Sequence, residues 1–274
     1  MSENQANTSS AALRLLNFQS RNQGLRPFTR IFRGSPMKVL SHSIERGGTV
    51  QVGTVQASTE QDVPSEANSS VEKAVQEKTT ENWKSLFDGE ALMDWTVPIY
   101  GGDGEVSVED GTIVIGRGIM MTGIRYEKEF PKIDYEIRYE ARRTGGYDFF
   151  AACTFPVKDS FCSFINGGWG GGVIGLSSIN GCDASENETT KYHEFKDNMW
   201  YRFHIRVYDK QIQVGITPQN KEGDWGAEKM VVDLEIDENT KLSTRYEVNM
   251  YKPLGICTWN ASGQLRNIEY RIMK

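Results

Sequence analysis

The residues best suited to acid–base chemistry lie in one connection, residues 180–194. It reads Asn-Gly-Cys-Asp-Ala-Ser-Glu-Asn-Glu-Thr-Thr-Lys-Tyr-His-Glu, and it brings carboxylates, amides and one imidazole together. Long connections in a compact domain are usually functional or mobile. His193 stands beside Glu194, so a proton could pass between an imidazole and a carboxylate. We therefore expect His193 and Glu194 to act as acid–base groups, together with Asp148.

A glycine-rich segment, residues 166–172, reads Asn-Gly-Gly-Trp-Gly-Gly-Gly. It lacks the Lys-Ser/Thr ending of a phosphate loop, and no helical pattern follows it. Glycines let the backbone and one indole approach a ligand, and an aromatic ring stacks on the C–H face of a sugar. We expect sugar contacts from Trp169, Asn166, Arg138 and Asp183. A wide turn with Trp169 folded into the core is the open alternative.

Metal and thiol chemistry receive little support from the residue spacing. Asp183, Glu186 and Glu188 could bind Ca²⁺, but they lack the spacing of a known calcium loop, so a solvated loop is favoured. We therefore assign no metal and no cofactor. No Gly-x-Ser-x-Gly elbow or C-x-x-C pair is present. Cys153 and Cys162 could form a disulfide between successive strands or be small buried thiols, and both alternatives stay open.

Alternating apolar and polar residues predict the elements that must position these side chains. Residues 134–142 and 201–208 each place apolar side chains on one face, and Asp209-Lys210 leads into a partner strand at 211–216. Asp110-Gly111 predicts a tight hairpin. Helical periodicity is not sustained, so an all-β sandwich or barrel of antiparallel sheets is expected. The predicted core comprises Trp95, Tyr135, Ile137, Phe203, Ile205, Ile268 and Tyr270.

Charge and composition set the boundaries of the domain. Residues 1–46 hold seven Lys and Arg and two Glu, whereas residues 60–81 are acidic and polar. Residues 1–81 are predicted to be a poorly ordered tail and linker, and residues 82–274 one domain. The first residues have the composition of a targeting segment but lack the apolar core of a secretory signal, and an overextended start is the alternative. Localisation therefore stays open.

The overall charge also limits the partners. A net charge of −6 argues against a general nucleic-acid binder, which needs a surplus of Lys and Arg on one face. No run of about 18 apolar residues exists, so no transmembrane helix is expected.

Three blocks of the sequence resemble the 3-keto-disaccharide hydrolase family of bacterial domains. They are Trp-Lys-Ser-Leu-Phe-Asp-Gly-Glu-Ala-Leu-Met-Asp-Trp at residues 83–95, Val-Glu-Asp-Gly-Thr-Ile-Val at 108–114, and the aromatic strand at 130–139. The resemblance spans residues 83–210. It implies a two-sheet antiparallel jelly-roll sandwich of the concanavalin A-like kind that acts on sugars, and a periplasmic or secreted location. Residues 147–156 and 162–172 depart from the family pattern.

Two functions from different classes follow. The first is a carbohydrate-acting hydrolase-like domain that cleaves glycosides or 3-keto-glycosides by acid–base chemistry. The second is a non-catalytic carbohydrate-binding or adhesive sandwich. A catalytic site requires that at least two carboxylates converge in one concavity with Trp169, so the positions of Asp148, Asp183, Glu186 and Glu194 distinguish the two functions.

The predicted domain boundary can be tested by limited proteolysis of the full chain. Because residues 1–81 have little to bury, we expect rapid cleavage there and a stable fragment that starts near Asn82. Mass spectrometry of the fragment gives its first residue. Resistance of the first 81 residues to protease would contradict the boundary.

Overall fold

The computed structural model describes residues 83–273. The predicted tail and linker, residues 1–81, lie outside these described residues. The strands, numbered in chain order, are β1 (Lys84–Ser85), β2 (Trp95–Thr96), β3 (Val106–Glu109), β4 (Thr112–Ile115), β5 (Met121–Tyr126), β6 (Tyr135–Gly146), β7 (Ala152–Val157), β8 (Ser160–Gly167), β9 (Val173–Ser177), β10 (Lys191–Tyr192), β11 (Tyr201–Val207), β12 (Gln211–Pro218), β13 (Lys229–Glu235), β14 (Leu254–Trp259) and β15 (Ala261–Ile272). One helical turn, α1 (Gly168–Gly171), and one 3₁₀ helix (Tyr246–Tyr251) interrupt them.

The strands form two antiparallel sheets that enclose one core. The eight-stranded sheet has the order β13-β12-β11-β6-β15-β4-β3, with β1 added beside β15. The seven-stranded sheet has the order β10-β9-β8-β7-β14-β5-β2. The predicted all-β fold is confirmed: the domain is a two-sheet antiparallel sandwich of the concanavalin A-like jelly-roll kind. Within residues 83–273, no helix has the length and apolar character that crossing a membrane requires.

The eight-stranded sheet follows the alternation seen in the sequence. In β11 every second residue is buried, and Ile205 is fully enclosed opposite Ile137 of β6 and Val214 of β12. The predicted hairpins are also present. Asp110 and Gly111 both have positive φ angles and connect β3 to β4, as a two-residue turn of this type requires.

The predicted core is confirmed for six of its seven residues. Trp95, Tyr135, Ile137, Phe203, Ile205 and Ile268 are all buried. Tyr270 is only half-buried. It lies opposite Lys84 of the short strand β1, and its ring packs against Phe130 at 5.0 Å between centroids. A two-residue strand is too short to cover the ring fully.

Strands β7, β8 and β9 of the seven-stranded sheet are buried on both faces. All residues of β7 and β9 are buried, as are the last six of β8. One set of side chains, including Phe164 and Leu176, packs between the sheets. The opposite set, which includes Met121 and Ile165, forms a second cluster on the outer face together with Val248 of the 3₁₀ helix. Sheets that are covered on both faces, as parallel sheets usually are, show this pattern. Here the 3₁₀ helix and the adjoining loops cover the outer face.

The outer face of the eight-stranded sheet is charged instead. Glu140 of β6 is buried, and its carboxylate accepts hydrogen bonds from Arg202, Arg266 and Asn267. Glu136 is buried in the same way and accepts a hydrogen bond from Arg271 at 2.7 Å. These carboxylates are paired because an isolated buried charge is very costly.

The four cysteines are free thiols. Cys153 and Cys162 lie on neighbouring strands β7 and β8, as expected, but their registers differ. Cys153 is opposite Phe164, and Cys162 is opposite Phe155. Both thiols are buried among the residues between the two sheets. They therefore act as small apolar side chains, the second of the two alternatives.

Glu136 gives a test of the charged face. Its burial raises the pKa, but hydrogen bonds with His204 and Arg271 outweigh this and lower the pKa from 4.5 to about 2. A lowered pKa stabilises the folded state above pH 4.5, and this contribution is lost as the pH falls towards 2. We expect Glu136→Gln to lower the free energy of unfolding by roughly 2 to 4 kcal/mol at pH 7, and by much less near pH 3.

Urea unfolding followed by tryptophan fluorescence at several pH values measures this difference. Glu235→Gln is the matched control, because Glu235 is an exposed residue of the edge strand β13. An equal effect of the two substitutions at every pH would contradict the assigned role of Glu136.

Candidate functional site

A pocket of about 230 Å³ lies on the outer face of the seven-stranded sheet. Strands β5, β8, β9 and β14 supply its floor, the 3₁₀ helix and the residue before it supply one side, and the connection from β6 to β7 and the turn after β8 supply the rest. The lining residues are Met121, Asp148, Phe149, Ser163, Ile165, Trp169, Ser177, Arg245, Glu247, Val248 and Trp259. We call this concavity the first pocket.

Trp169 reaches the first pocket from an unusual turn, residues 167–172, which we call the glycine loop. Gly167, Gly170 and Gly171 have positive φ angles, and so does Trp169, at 49°. Glycine adopts such angles without steric cost, whereas a non-glycine residue does so at a cost that functional sites often carry. The indole is 47% exposed. Trp169 therefore does not fold into the core, which was the alternative for this segment.

Asp148 lies between the glycine loop and the sheet. Its Oδ1 accepts a hydrogen bond from the Phe149 backbone N–H at 2.8 Å, and its Oδ2 accepts one from Gly170 N–H at 3.4 Å. Burial raises the pKa of Asp148, and the backbone hydrogen bonds only partly oppose this. The carboxyl group thus keeps its proton to a higher pH than a free aspartate does.

Glu247 supplies a second carboxylate to the first pocket. Partial burial raises its pKa, but hydrogen bonds from Arg245 outweigh this effect and lower the pKa overall. Arg245 also forms an ion pair with Asp183, whose Oδ1 accepts hydrogen bonds from the hydroxyls of Ser177 and Ser178 at 3.2 Å each. One pocket thus contains two carboxyl groups whose pKa values are shifted in opposite directions.

The remaining walls are aromatic and apolar. Phe149 packs against Trp259 with 6.3 Å between ring centroids. Met121 and Ile165 form the apolar part of the floor, and Val248 packs against them from the side. Such walls suit the apolar face of a ring-shaped ligand. Among the polar groups of the floor, the Ser163 hydroxyl is hydrogen-bonded with Thr154 and the Ser177 hydroxyl with Asp183.

A second pocket, of about 550 Å³, lies on the other flank of the glycine loop. Its lining residues are Arg143, Gly146, Tyr147, Gly170, Gly171, Gly172, Tyr192, His193, Glu194 and Phe195. The His193 ring packs on Phe195 at 4.5 Å and on Tyr201 at 5.7 Å. Burial lowers the pKa of His193, so the neutral imidazole is favoured.

The structure therefore separates the three residues expected to act as acid–base groups. Asp148 lines the first pocket with Trp169, whereas His193 and Glu194 line the second. Asp183 lines neither pocket, and it contacts the first pocket through Arg245 and Ser177. Of the four carboxylates Asp148, Asp183, Glu186 and Glu194, only Asp148 lines the first pocket with Trp169, so the convergence of two of them is not found there.

Two expected sugar contacts are used elsewhere in the fold. Asn166 is fully buried, and its side-chain amide donates to the Ala151 carbonyl at 2.7 Å and accepts from the Ala151 N–H at 3.1 Å. Arg138 lies on the eight-stranded sheet, where it pairs with Glu269 and stacks on Trp83 at 4.0 Å. Neither side chain lines either pocket, so neither contacts a ligand that is bound there.

Sequence reasoning missed Arg245, Glu247 and Trp259. The first two lie in or beside the 3₁₀ helix, in a connection between β13 and β14 that shows no alternation. The length of this connection was the one signal that could have indicated a functional segment, because long connections on a rigid scaffold often carry function. Trp259 ends the buried strand β14, where an aromatic residue is equally typical of a core.

A cation site is not evident among the described residues 83–273, where no three His, Cys, Asp or Glu side chains are grouped as metal ligands. Asp183, a residue considered for Ca²⁺, is engaged by Arg245 and two serine hydroxyls. Glu186 and Glu188 are exposed.

The burial of Asp148 predicts that its ionised carboxylate lowers the free energy of unfolding of the domain. A carboxyl group whose pKa is raised by folding destabilises the folded state once the pH is high enough to ionise it. Asp148→Asn keeps the Oδ1 acceptor for Phe149, so we expect its free energy of unfolding at pH 7 to equal or exceed that of the wild type. The difference should vanish below pH 3.8. A large loss of stability in urea unfolding at pH 7 would show that the Asp148 charge is structural.

Comparisons with solved structures give alignments at low sequence identity and with TM-scores below 0.5. A candidate glycosyl hydrolase from Parabacteroides distasonis ATCC 8503 aligns over 73% of this chain and 97% of its own, with 12% identity and a TM-score of 0.44. The lumenal domain of VIP36 bound to Ca²⁺ and Man3GlcNAc aligns over 71% and 91%, with 11% identity and a TM-score of 0.47. The carbohydrate-binding module CBM66 from Bacillus subtilis aligns over 65% and 95%, with 12% identity and a TM-score of 0.37.

No curated protein sequence matches the chain. A family model does match, over residues 82–269, and its description is a 3-keto-alpha-glucoside-1,2-lyase-like domain. The match covers more than half of the chain and includes both pockets. The chain therefore belongs to the family of 3-keto-alpha-glucoside-1,2-lyase-like domains.

Proposed function

We propose that the first pocket binds one ring of a 3-keto-α-glucoside and cleaves its glycosidic bond, with Asp148 as general acid and Glu247 as general base. One observation carries this proposal. Two carboxyl groups line the same aromatic pocket, and their surroundings raise the pKa of one and lower that of the other. Divergent pKa values of this kind distinguish the acid from the base in many active sites.

The pocket offers the contacts that such a ring needs. The indole rings of Trp169 and Trp259 can stack on the C–H faces of the sugar ring. Arg245 can donate to a sugar hydroxyl or to the 3-keto oxygen. The Arg245 side chain is held by Asp183 and Glu247, so it enters the site in a fixed orientation. A fixed cation near a carbonyl oxygen stabilises the negative charge that develops there during reaction.

The chemistry follows from the ketone named in the family description. A keto group at C3 acidifies the hydrogen on C2. Glu247 removes that proton, the electron pair forms the C1–C2 double bond, and the C1–O bond breaks. Asp148 gives its proton to the departing oxygen. The products are an enone sugar and an alcohol, and water can later add to the enone. This path needs one ionised and one protonated carboxyl group.

Catalysis should depend on both carboxyl groups and on pH. We expect kcat/KM for a 3-keto-α-glucoside to rise as Glu247 ionises, and to fall as the pH rises through the raised pKa of Asp148. Glu247→Gln and Asp148→Asn should each lower kcat by a factor on the order of 100 or more, and Asp148→Asn should also remove the alkaline fall. The release of alcohol or reducing sugar measures turnover.

Glu188→Gln is the control, because Glu188 is an exposed acid that lines neither pocket. Unchanged turnover in both pocket variants would remove the assignment of Asp148 and Glu247.

A binding module is the second candidate function, and the exposure of Trp169 favours it. An indole that is 47% exposed at a pocket offers one free face for stacking, which needs no catalytic groups. If the wild type binds the sugar without turnover, and Trp169→Ala weakens binding by roughly 1 to 3 kcal/mol, the domain is a carbohydrate-binding module.

A further inference from the structure

The first pocket is too small to enclose a whole glycoside. Its volume is about 230 Å³, whereas pockets that enclose a drug-sized ligand span roughly 300 to 1,000 Å³. It therefore accommodates the keto sugar ring alone, and the leaving group of the substrate lies at the mouth of the pocket. The side chains around this mouth decide which class of leaving group fits there.

The proposed acid marks the side on which the leaving group departs. In the proposed reaction, Glu247 removes the proton from C2 and Arg245 contacts the 3-keto oxygen, and both residues come from one side of the pocket. Asp148 gives its proton to the glycosidic oxygen from the opposite side, where the glycine loop encloses it. The leaving group therefore extends over the residues around Asp148.

The residues around Asp148 are aromatic. Tyr147 precedes it and Phe149 follows it in the chain, and Phe149 packs against Trp259 with 6.3 Å between ring centroids. Trp169 lines the same pocket from the glycine loop. Tyr147 is 60% exposed, although burial of an aromatic ring stabilises a fold. An exposed aromatic ring beside a site offers contact area to an apolar ligand.

Ile119 extends this apolar surface. Its side chain is 75% exposed, yet the backbone beside it holds it in place. The Ile119 N–H donates to the Gly102 carbonyl at 2.8 Å, and a Cβ atom on Gly102 would lie 3.1 Å from Ile119 Cδ1. Arg117, in the same turn, lies 5.9 Å from the centre of the Tyr147 ring, which brings the turn beside that ring. We call the exposed side chains of Ile119 and Tyr147 the apolar rim.

The apolar rim offers contact area rather than hydrogen bonds. Asn260 lies between Ile119 and Trp259, and in the amide orientation that satisfies its surroundings it donates to the Ile119 carbonyl and accepts from Trp259 Nε1 at 3.1 Å. The Trp259 N–H is thus engaged within the protein, and its ring adds apolar surface. A sugar leaving group would lose water from its hydroxyls here, and a polar group that loses water without gaining a hydrogen bond costs free energy.

We propose that the leaving group of the substrate is an apolar alcohol, so that the domain cleaves 3-keto-α-glucosides of aliphatic or aromatic alcohols in preference to those of a second sugar. This inference rests on the proposed function of the first pocket. The pocket holds the keto sugar, Asp148 protonates the departing oxygen, and the remainder of the alcohol packs on the apolar rim.

Isothermal titration calorimetry of the full chain tests this inference with three probes, in the Glu247→Gln variant so that binding is measured without turnover. The probes are the 3-keto-α-glucosides of methanol, of cyclohexylmethanol and of the 6-hydroxyl of glucose. The last two both carry a six-membered ring on a CH₂–O group and differ in the polarity of that ring. We expect the cyclohexylmethyl probe to bind on the order of 10-fold more tightly than the other two, because its apolar ring leaves water for the rim.

Two substitutions locate the origin of this difference. Ile119→Ala and Tyr147→Ala should each weaken binding of the cyclohexylmethyl probe by a factor on the order of 3 and leave the affinity for the methyl probe unchanged, because a methyl group does not reach the rim. Both side chains are largely exposed, so their truncation leaves the fold intact. Ile272→Ala is the matched control, because Ile272 is an exposed isoleucine of β15 that lines neither pocket.

The outcomes separate this inference from the proposed function. If the methyl probe binds and the cyclohexylmethyl probe binds no more tightly, or if the glucose-bearing probe binds as tightly as the cyclohexylmethyl probe, the inference fails and the proposed function stands. A difference that survives both rim substitutions overturns the rim as the site of the alcohol. If no probe binds, the proposed function of the first pocket fails, and the inference fails with it.

Discussion

Strands β7, β8 and β9 carry buried side chains at nearly every position, so neither face of the seven-stranded sheet can be left to water. On the outer face, Met121, Ile165, Val173 and Val248 form an apolar cluster, and each such side chain contributes roughly 1.5 to 3 kcal/mol when it is buried. The 3₁₀ helix, which supplies Val248, packs there for this reason. The first pocket is the part of the outer face that this cover leaves open.

The covering elements also bring in the charged groups. The 3₁₀ helix and the residue before it carry Glu247 and Arg245, and the connection after β9 carries Asp183, which pairs with Arg245. Asp148 comes from the opposite side, where the glycine loop encloses it. The two carboxyl groups therefore reach one apolar floor from different environments. One is mainly desolvated, and the other is held by an arginine, which explains the opposite shifts of their pKa values.

The sequence predicted the fold better than the site. Strands with one wet face, such as β6 and β11, alternate clearly, and Asp110-Gly111 marks a tight turn, so these elements were readable locally. Strands with two buried faces show no alternation. The sequence therefore does not reveal that the side chains of Ser163 and Ile165 point to the outer face of the sheet. Asn166 and Arg138 look like ligand contacts in the sequence, but one side chain binds the Ala151 backbone and the other binds Glu269. Contacts between distant segments, such as Arg245 with Asp183, leave no local pattern.

The proposed roles require that Asp148 keep its proton at a pH at which Glu247 has already lost its own. Carbon-13 NMR of the side-chain carboxyl carbons, assigned with Asp148→Asn and Glu247→Gln, measures both pKa values in the folded protein. Burial predicts a pKa above 3.8 for Asp148, and the hydrogen bonds from Arg245 predict a pKa below 4.5 for Glu247. The proposed roles further require that Asp148 titrate at the higher pH of the two. If Asp148 titrates below Glu247, the first pocket does not contain the acid and base assigned to it.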